Sequence, residues 1–366
     1  MHLMILSKNI KQLFYKLHLY VGISMGLLIT LICITGSLIV YKPELEKLSI
    51  PHLAKVEVLE NRIGYQEAFE RIKKAYPDHN IQNMVVYGAT DEAWSFRSTH
   101  PAEKGRIQLY INQYTGEVLG ADHYNSKWMQ ILYDLHVNLL SGKTGLKIVA
   151  FFGFILLFIL ISGLLILPNR NLFKWKREAS LKVKFFRSHY LIGLLFGIPL
   201  AILAFTGGYY GFKPQYQNLF EKVSNGKAIV ASPRVDHISK MHQASLDSVV
   251  NRASRAFPEG EVSMVFFPQK EGSVFSVRMK DKVNYERTGG NHIYIHPNTA
   301  ELVKTNLWRD KPSAEKMTRS MYFLHFGTFW GNYSRILWLI TGFAIPFLYF
   351  TGLYLWIKKL RKRRMN

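Results

Sequence analysis

The stretch HLYVGISMGLLITLICITGSLIVYKP, residues 18–43, decides the fold. From Leu19 to Tyr41 it carries no charged side chain, and about 20 apolar residues suffice to cross a bilayer as a helix. A second stretch, HYLIGLLFGIPLAILAFTGGYYGFKP, residues 189–214, has the same layout. His18, Gly22, Gly26, Thr35, Gly36, Lys42 and Pro43 recur as His189, Gly193, Gly197, Thr206, Gly207, Lys213 and Pro214, all displaced by 171. Two further apolar runs, Leu146 to Leu167 and Ile336 to Ile357, each follow a histidine, His136 or His325. Around them Tyr133, Leu135, His136, Gly142, Gly153 and Gly163 recur as Tyr322, Leu324, His325, Gly331, Gly342 and Gly352, displaced by 189. Internal duplication is the simplest account.

The first run is too long for a signal-peptide core and no small-residue cleavage site follows it, so it reads as a retained anchor. The net charge of +22 is concentrated beside the spans. Lys8, Lys11 and Lys16, then Arg170, Lys174, Lys176, Arg177, Lys182, Lys184 and Arg187, then Lys358, Lys359, Arg361, Lys362, Arg363 and Arg364 are opposed only by Glu178, and supply +15 of it. Basic residues beside spans stay on the cytoplasmic side. That rule puts both termini inside and removes any need for a nucleic-acid partner. The expected order is a cytoplasmic N-terminus with the first helix (1–42), an outward module (43–132), and the second helix with its lead-in (133–168). A cytoplasmic basic connector (169–188), the third helix (189–213) and a second outward module (214–320) follow. The fourth helix with its lead-in (321–357) and a basic tail (358–366) complete the chain.

Each outward connector shows one helical stretch closed by proline, Tyr65 to Ala75 before Pro77 and Leu246 to Ala256 before Pro258. Strand-like stretches follow near Trp94 to Arg97 and Gln108 to Ile111, and again near Val274 to Arg278 and His292 to Ile295. The fold class expected is therefore a membrane protein: a four-helix transmembrane bundle from a tandem duplication, with two outward-facing small α+β modules, each with its own core.

Ionisable side chains beside a membrane span usually mark a functional site. A b-type haem needs axial imidazole and room for a flat macrocycle. His18, Gly22 and Gly26 share one helix face, as do His189, Gly193 and Gly197, and glycines below a ligand let a porphyrin approach the backbone. Gly36 and Gly207 lie roughly 27 Å further along the same face, where they would make room for a second macrocycle. Spans one and three start inside and spans two and four outside, so the histidines divide into an inner pair, His18/His189, and an outer pair, His136/His325. Two haem b groups, one per pair, are the expected cofactors, with these four histidines as the iron ligands.

Other residues carry less. Cys33 is the single cysteine, which excludes an iron–sulfur centre or thiolate zinc site within the chain. His292, Tyr294 and His296 alternate on a strand and are expected to be solvated rather than a metal site. Tyr133 and Tyr322 read as interfacial anchors, and Arg97 and Arg278 as solvated strand ends. His2, His52, His79, His100, His123, His237 and His242 have no repeated counterpart and read as surface residues. No catalytic triad, metalloprotease helix or phosphate-cradling loop is present.

The segments KLHLYVGISMG with ITGSLIVYKPEL, YDLHVNLLSGKTG, SHYLIGLLFG with FTGGYYGFKP, and YFLHFGTFWGNYSR resemble the PepSY-associated transmembrane helix family of bacterial inner-membrane, iron-regulated proteins. The likeness covers nearly the whole chain. It implies PepSY-type modules in the connectors and, through members that resemble ferric-siderophore reductases, electron transfer across the membrane by His18, His136, His189 and His325. The partners implied are the lipid bilayer and a periplasmic ferric chelate. Since no flavin or nicotinamide domain fits in the short cytoplasmic segments, the electron donor would be a separate cytoplasmic reductase or a quinol. The competing readings are a membrane-anchored sensor, inhibitor or assembly module without haem, and a transporter, which four spans with almost no acidic residues disfavour.

Overall fold

The computed structural model describes residues 7–86, 88–123, 128–167, 179–224, 226–227, 229, 231–236, 243–282 and 288–365. The basic residues Arg170, Lys174, Lys176 and Arg177, the opposing Glu178, and His2, His237 and His242 lie outside them. In chain order the helices are α1 (Lys8–Leu38), α2 (Lys42–Ser49), α3 (Pro51–Ala54), α4 (Tyr65–Ala75), α5 (Trp128–Asn138) and α6 (Gly142–Leu165). They continue with α7 (Leu181–Gly211), α8 (Lys213–Ser224), α9 (Leu246–Ala256), α10 (Ser313–Phe326) and α11 (Gly331–Met365). The strands are β1 (Asn80–Val85), β2 (Trp94–His100), β3 (Glu103–Ile111), β4 (Val118–His123), β5 (Glu261–Phe266), β6 (Phe275–Lys280), β7 (Asn291–Ile295) and β8 (Leu302–Asn306). The chain divides into two compact units: residues 1–40, 131–216 and 320–366, and residues 41–130 and 217–319.

Among the described residues, the segments long and apolar enough to cross a membrane are Lys8–Ser49, Gly142–Leu165, Leu181–Gly211 and Gly331–Lys362, which belong to the first unit apart from residues 41–49. They pack as a ring, α1 on α6, α6 on α7, α7 on α11 and α11 on α1, while the diagonal pairs α1/α7 and α6/α11 do not pack closely. Small residues set the contacts, as expected where backbones must approach without a hydrophobic drive. A Cβ on Gly153 would stand 2.7 Å from the Ala204 carbonyl oxygen, and one on Gly342 would strike the Ser37 hydroxyl. Ile29, Leu156, Leu200, Ala204 and Ile345 form the buried apolar centre.

Two features depart from the expected helix limits. His18 and His189 are not at helix heads, since α1 starts at Lys8 and α7 at Leu181. His136 and His325 sit instead near the ends of the separate helices α5 and α10. The chain leaves α5 through left-handed Leu139 (φ 50°), Leu140 (φ 59°) and Gly142 (φ 58°), and leaves α10 through Gly327 (φ 66°) and Gly331 (φ 59°). Residues in that conformation end a helix because its hydrogen-bond ladder cannot continue through them.

The second unit corrects the expectation of two modules with separate cores. All eight strands form one antiparallel sheet, ordered β4-β3-β2-β1-β5-β6-β7-β8. β1 and β5 make the seam, Asn83 opposite Phe266, Met84 opposite Val265 and Val85 opposite Met264. One core runs beneath both halves: Ile72, Met84, Phe96 and Leu109 join Val249, Val265, Val277 and Ile293, all fully buried. α4 and α9 cover it. The apolar residues Leu246, Val249, Val250 and Ala253 on α9 follow helical spacing and are buried.

These two helices cap each other. The Asp247 carboxylate accepts from the Tyr65 N–H (2.7 Å) and the Gln66 N–H (3.3 Å), and the Gln66 amide oxygen accepts from the Leu246 N–H (2.8 Å). Unmatched N–H groups at one helix start are thus satisfied by a side chain from the other. Asp247→Ala is expected to destabilise this unit by about 1 kcal/mol. Urea unfolding of the detergent-solubilised protein, followed by tryptophan fluorescence, measures it; an unchanged midpoint would show that the cross-cap contributes nothing.

Candidate functional site

In the membrane unit the four predicted histidines form two facing pairs. The His18 and His189 ring centres are 6.3 Å apart, with ring planes at 87°. Those of His136 and His325 are 6.2 Å apart, with planes at 33°. Two imidazoles sharing one metal atom at about 2 Å per nitrogen have ring centres about 6 Å apart. His18 comes from α1 and His189 from α7, the diagonal helices that leave space between them.

Each ring is anchored through Nδ1 on a neighbouring helix. His18 Nδ1 lies 3.0 Å from both the Ile159 carbonyl oxygen and the Ser162 hydroxyl. His189 Nδ1 lies 2.9 Å from the Thr351 hydroxyl, with the Leu348 backbone beside it. His136 Nδ1 meets the Ile32 carbonyl oxygen at 2.9 Å, and His325 Nδ1 meets the Thr206 hydroxyl at 2.9 Å.

The partners decide the tautomer. A carbonyl oxygen can only accept. The Ser162, Thr206 and Thr351 hydroxyls donate to carbonyls of their own helices, Ile159 (2.9 Å), Ile202 (2.7 Å) and Phe347 (2.8 Å), so toward histidine they accept. His18 and His136, which face carbonyl oxygens, therefore carry the proton on Nδ1 and present an Nε2 lone pair, and the hydroxyls that already donate within their own helices favour the same form in His189 and His325. No Nε2 among them bonds to a described residue. An imidazole oriented by a hydrogen bond from its far nitrogen is the usual form of a metal-ligating histidine.

Glycines complete each seat. A Cβ on Gly163 would stand 3.1 Å from His18 Cε1, on Gly352 3.4 Å from His189 Cε1, on Gly36 2.6 Å from His136 Cε1, and on Gly207 3.5 Å from His325 Cε1. Gly36 and Gly207, expected to face a porphyrin, instead make room for the outer imidazoles. Gly26, also expected to face one, is packed by the Tyr349 ring, 2.5 Å from where its Cβ would be. Nothing described lies within 4 Å of a Cβ on Gly22 or Gly197, and Gly193 has Leu348 at an ordinary 3.8 Å.

The hydroxyl partners and the glycines Gly163 and Gly352 were missed as site residues, although the repeat carries them. Ser162 and Thr351 are displaced by 189, as are Gly163 and Gly352. Tyr210 was missed too. Its ring lies 5.2 Å from that of His325, and its buried hydroxyl bonds to no described residue. Tyr322, expected as an interfacial anchor, is 46% exposed and stacks on Phe326.

A model of the PepSY-associated TM region matches residues 15–359. The chain belongs to that family. Among curated proteins, an uncharacterized protein of Pseudomonas aeruginosa is 35% identical over 86 residues, which is 23% of this chain and 22% of that protein. Among solved structures, a protein of Clostridium difficile 630 matches at 8% identity and a TM-score of 0.29, over 69% of this chain and 98% of that one.

The sheet unit corrects further readings of this PepSY-family chain. His292 and Tyr294, expected to be solvated, are 8% and 5% exposed. Burial, then the charges of Arg278, Arg319 and Lys311, hold His292 well below the ordinary imidazole range. His296 follows the strand, its Nδ1 accepting from the Asn298 N–H (3.2 Å). Arg97 and Arg278 are half-buried, Arg278 lying over the Phe266 ring at 5.1 Å. Among the described residues, no three His, Cys, Asp or Glu side chains already converge as a metal centre.

Proposed function

We propose that the chain carries electrons across the bacterial inner membrane through two haem b groups, one held by His18 and His189 and the other by His136 and His325. The observation that carries this reading is the pairing of the four rings, with centres 6.3 and 6.2 Å apart and each ring held through Nδ1 so that its Nε2 is left for a ligand. The Tyr210 hydroxyl, buried and without a described acceptor, suits a site that takes a group with polar edges. The open positions at Gly22 and Gly197 suit a flat one.

When bound, haem supplies one-electron transfer at each pair, and the chain supplies position and surroundings. The Ser162, Thr206 and Thr351 hydroxyls and the Ile32 and Ile159 carbonyls stop the imidazoles from turning. Ile29, Leu156, Leu200 and Ile345 lie between the levels of the two pairs and keep water and ions out of the bilayer centre. Electrons would enter at the cytoplasmic side from a separate reductase or a quinol. They would leave from the outer pair to a ferric chelate on the periplasmic side, where gain of one electron per iron weakens an oxygen-rich cage. Both termini would be cytoplasmic.

A reduced-minus-oxidised visible spectrum of protein purified from haem-supplied cells tests this. About two haems per chain with low-spin, six-coordinate bands are expected. Lack of a Soret band would end the proposal.

A further inference from the structure

In the sheet unit, three histidines remote in sequence meet at one end of the sheet. His79 precedes β1, His100 ends β2, Glu103 opens β3 and His123 ends β4. The register brings them together, with Asn80 opposite Thr99, His100 opposite Glu103 and Ile107 opposite His123. The His79 and His100 ring centres are 4.9 Å apart. Glu103 reaches both remaining rings, with one oxygen 3.0 Å from His123 Nδ1 and the other 4.0 Å from His100 Nδ1.

The fold does not require histidine at these places. Strands β5 to β8 repeat the register of β1 to β4, with Arg278 in the place of Arg97 and His292 in the place of Gln108. By that register Gly260, Asp281 and Leu307 occupy the positions of His79, His100 and His123. One half-sheet thus folds without any of the three imidazoles that the other gathers around one carboxylate.

We infer that His79, His100, His123 and Glu103 form a binding site for a divalent transition-metal ion. Imidazole nitrogens with a single carboxylate suit Fe(II), Ni(II) or Zn(II), whereas Ca²⁺ and Mg²⁺ take oxygen ligands. The site assembles on binding. His123 and Glu103 have side chains 53% and 46% exposed and can turn inward, and the Ala102 N–H now on His100 Nδ1 (3.2 Å) yields if the metal takes that nitrogen. The assignment stands apart from the haem reading, though ferrous iron is the product that reduction of a ferric chelate would release.

Isothermal titration of the full-length, tag-free protein in detergent with Ni(II) alone, and with Zn(II) alone, tests it. One ion per chain is expected at this site. Loss of outer-shell partners alone weakens metal sites roughly 10–100-fold, so His100→Ala and His123→Ala should each weaken binding at least that much. Glu103→Gln should act in the same direction, and His52→Ala, exposed on α3, should change nothing. Unchanged thermal midpoints show that the variants fold. No binding by the parent protein overturns the assignment. So does parent-like binding in a His100→Ala/His123→Ala double variant, or binding that is lost instead in His136→Ala.

Discussion

His18→Ala is expected to remove about half of the haem from the purified protein, and His136→Ala the other half. The two losses should be independent, because the pairs lie at levels roughly 27 Å apart along α1. A His18→Ala/His136→Ala double variant should be colourless. The glycine seats add a graded test. Gly36→Ala places a Cβ 2.6 Å from His136 Cε1, too close to coexist with the present ring position, whereas Gly207→Ala reaches His325 only at 3.5 Å. Overpacking of the first kind costs about 1–3 kcal/mol. Gly36→Ala should therefore deplete or perturb the outer haem, shifting its midpoint in a potentiometric titration, while Gly207→Ala leaves it close to the parent. Haem content by alkaline pyridine assay, together with low-temperature EPR of the oxidised protein, reads both. Equal loss in His18→Ala and in the double variant would mean a single haem and would break the two-site arrangement.

Much of the membrane unit is legible in the sequence because hydropathy and charge act locally. The apolar runs mark the spans, and their order places His18 level with His189 and His136 level with His325. The seats were not legible. Ser162, Gly163, Thr351 and Gly352 belong to helices other than those that carry the histidines they hold, and no spacing within one helix relates them. Gly36 is a related case: helix periodicity puts it on the His18 face at the outer level, and only the neighbouring α5 shows that the His136 ring lies against it. In the sheet unit α4 and α9 follow from helical spacing and a closing proline. The edge strands β4 and β8, and the seam strands β1 and β5, lacked strong alternation. The seam itself joins residues about 180 positions apart, which is a tertiary choice without a local signal. His292 was misread for a related reason: alternation predicts a solvated second face, yet β7 is buried on both faces. His79, His100 and His123 each look unremarkable until the register brings them together.

Glu315→Ala is expected to destabilise the sheet unit by about 3–5 kcal/mol, among the largest effects available to one substitution there. Glu315 accepts from Lys311 Nζ at 3.1 Å and from Arg319 Nε at 2.9 Å. The Lys311 side chain is wholly buried and that of Glu315 is 4% exposed, so solvent screens this ion pair little. Their desolvation is balanced by mutual attraction and by the bond from Lys311 to the Asn306 carbonyl oxygen (3.2 Å). Removing the carboxylate leaves the cost of burying the lysine without its compensation. Lys311→Met should be nearly as harmful, since it leaves Glu315 with Arg319 alone among these cations. A Lys311→Met/Glu315→Leu double variant should regain most of the loss, because apolar pairs of similar volume replace buried ion pairs at little net change. Burial of His292, and after it the charges of Arg278, Arg319 and Lys311, sets a pH dependence. Folded His292 stays neutral well below the ordinary imidazole value of 6.5, whereas the unfolded chain protonates it there. As pH falls below about 6.5 the unfolded state binds the extra proton and stability drops. Urea midpoints of the parent and the three variants at pH 7.5 and pH 5.5 measure both effects. A double variant no more stable than Glu315→Ala would show that the cluster is held by packing rather than by charge.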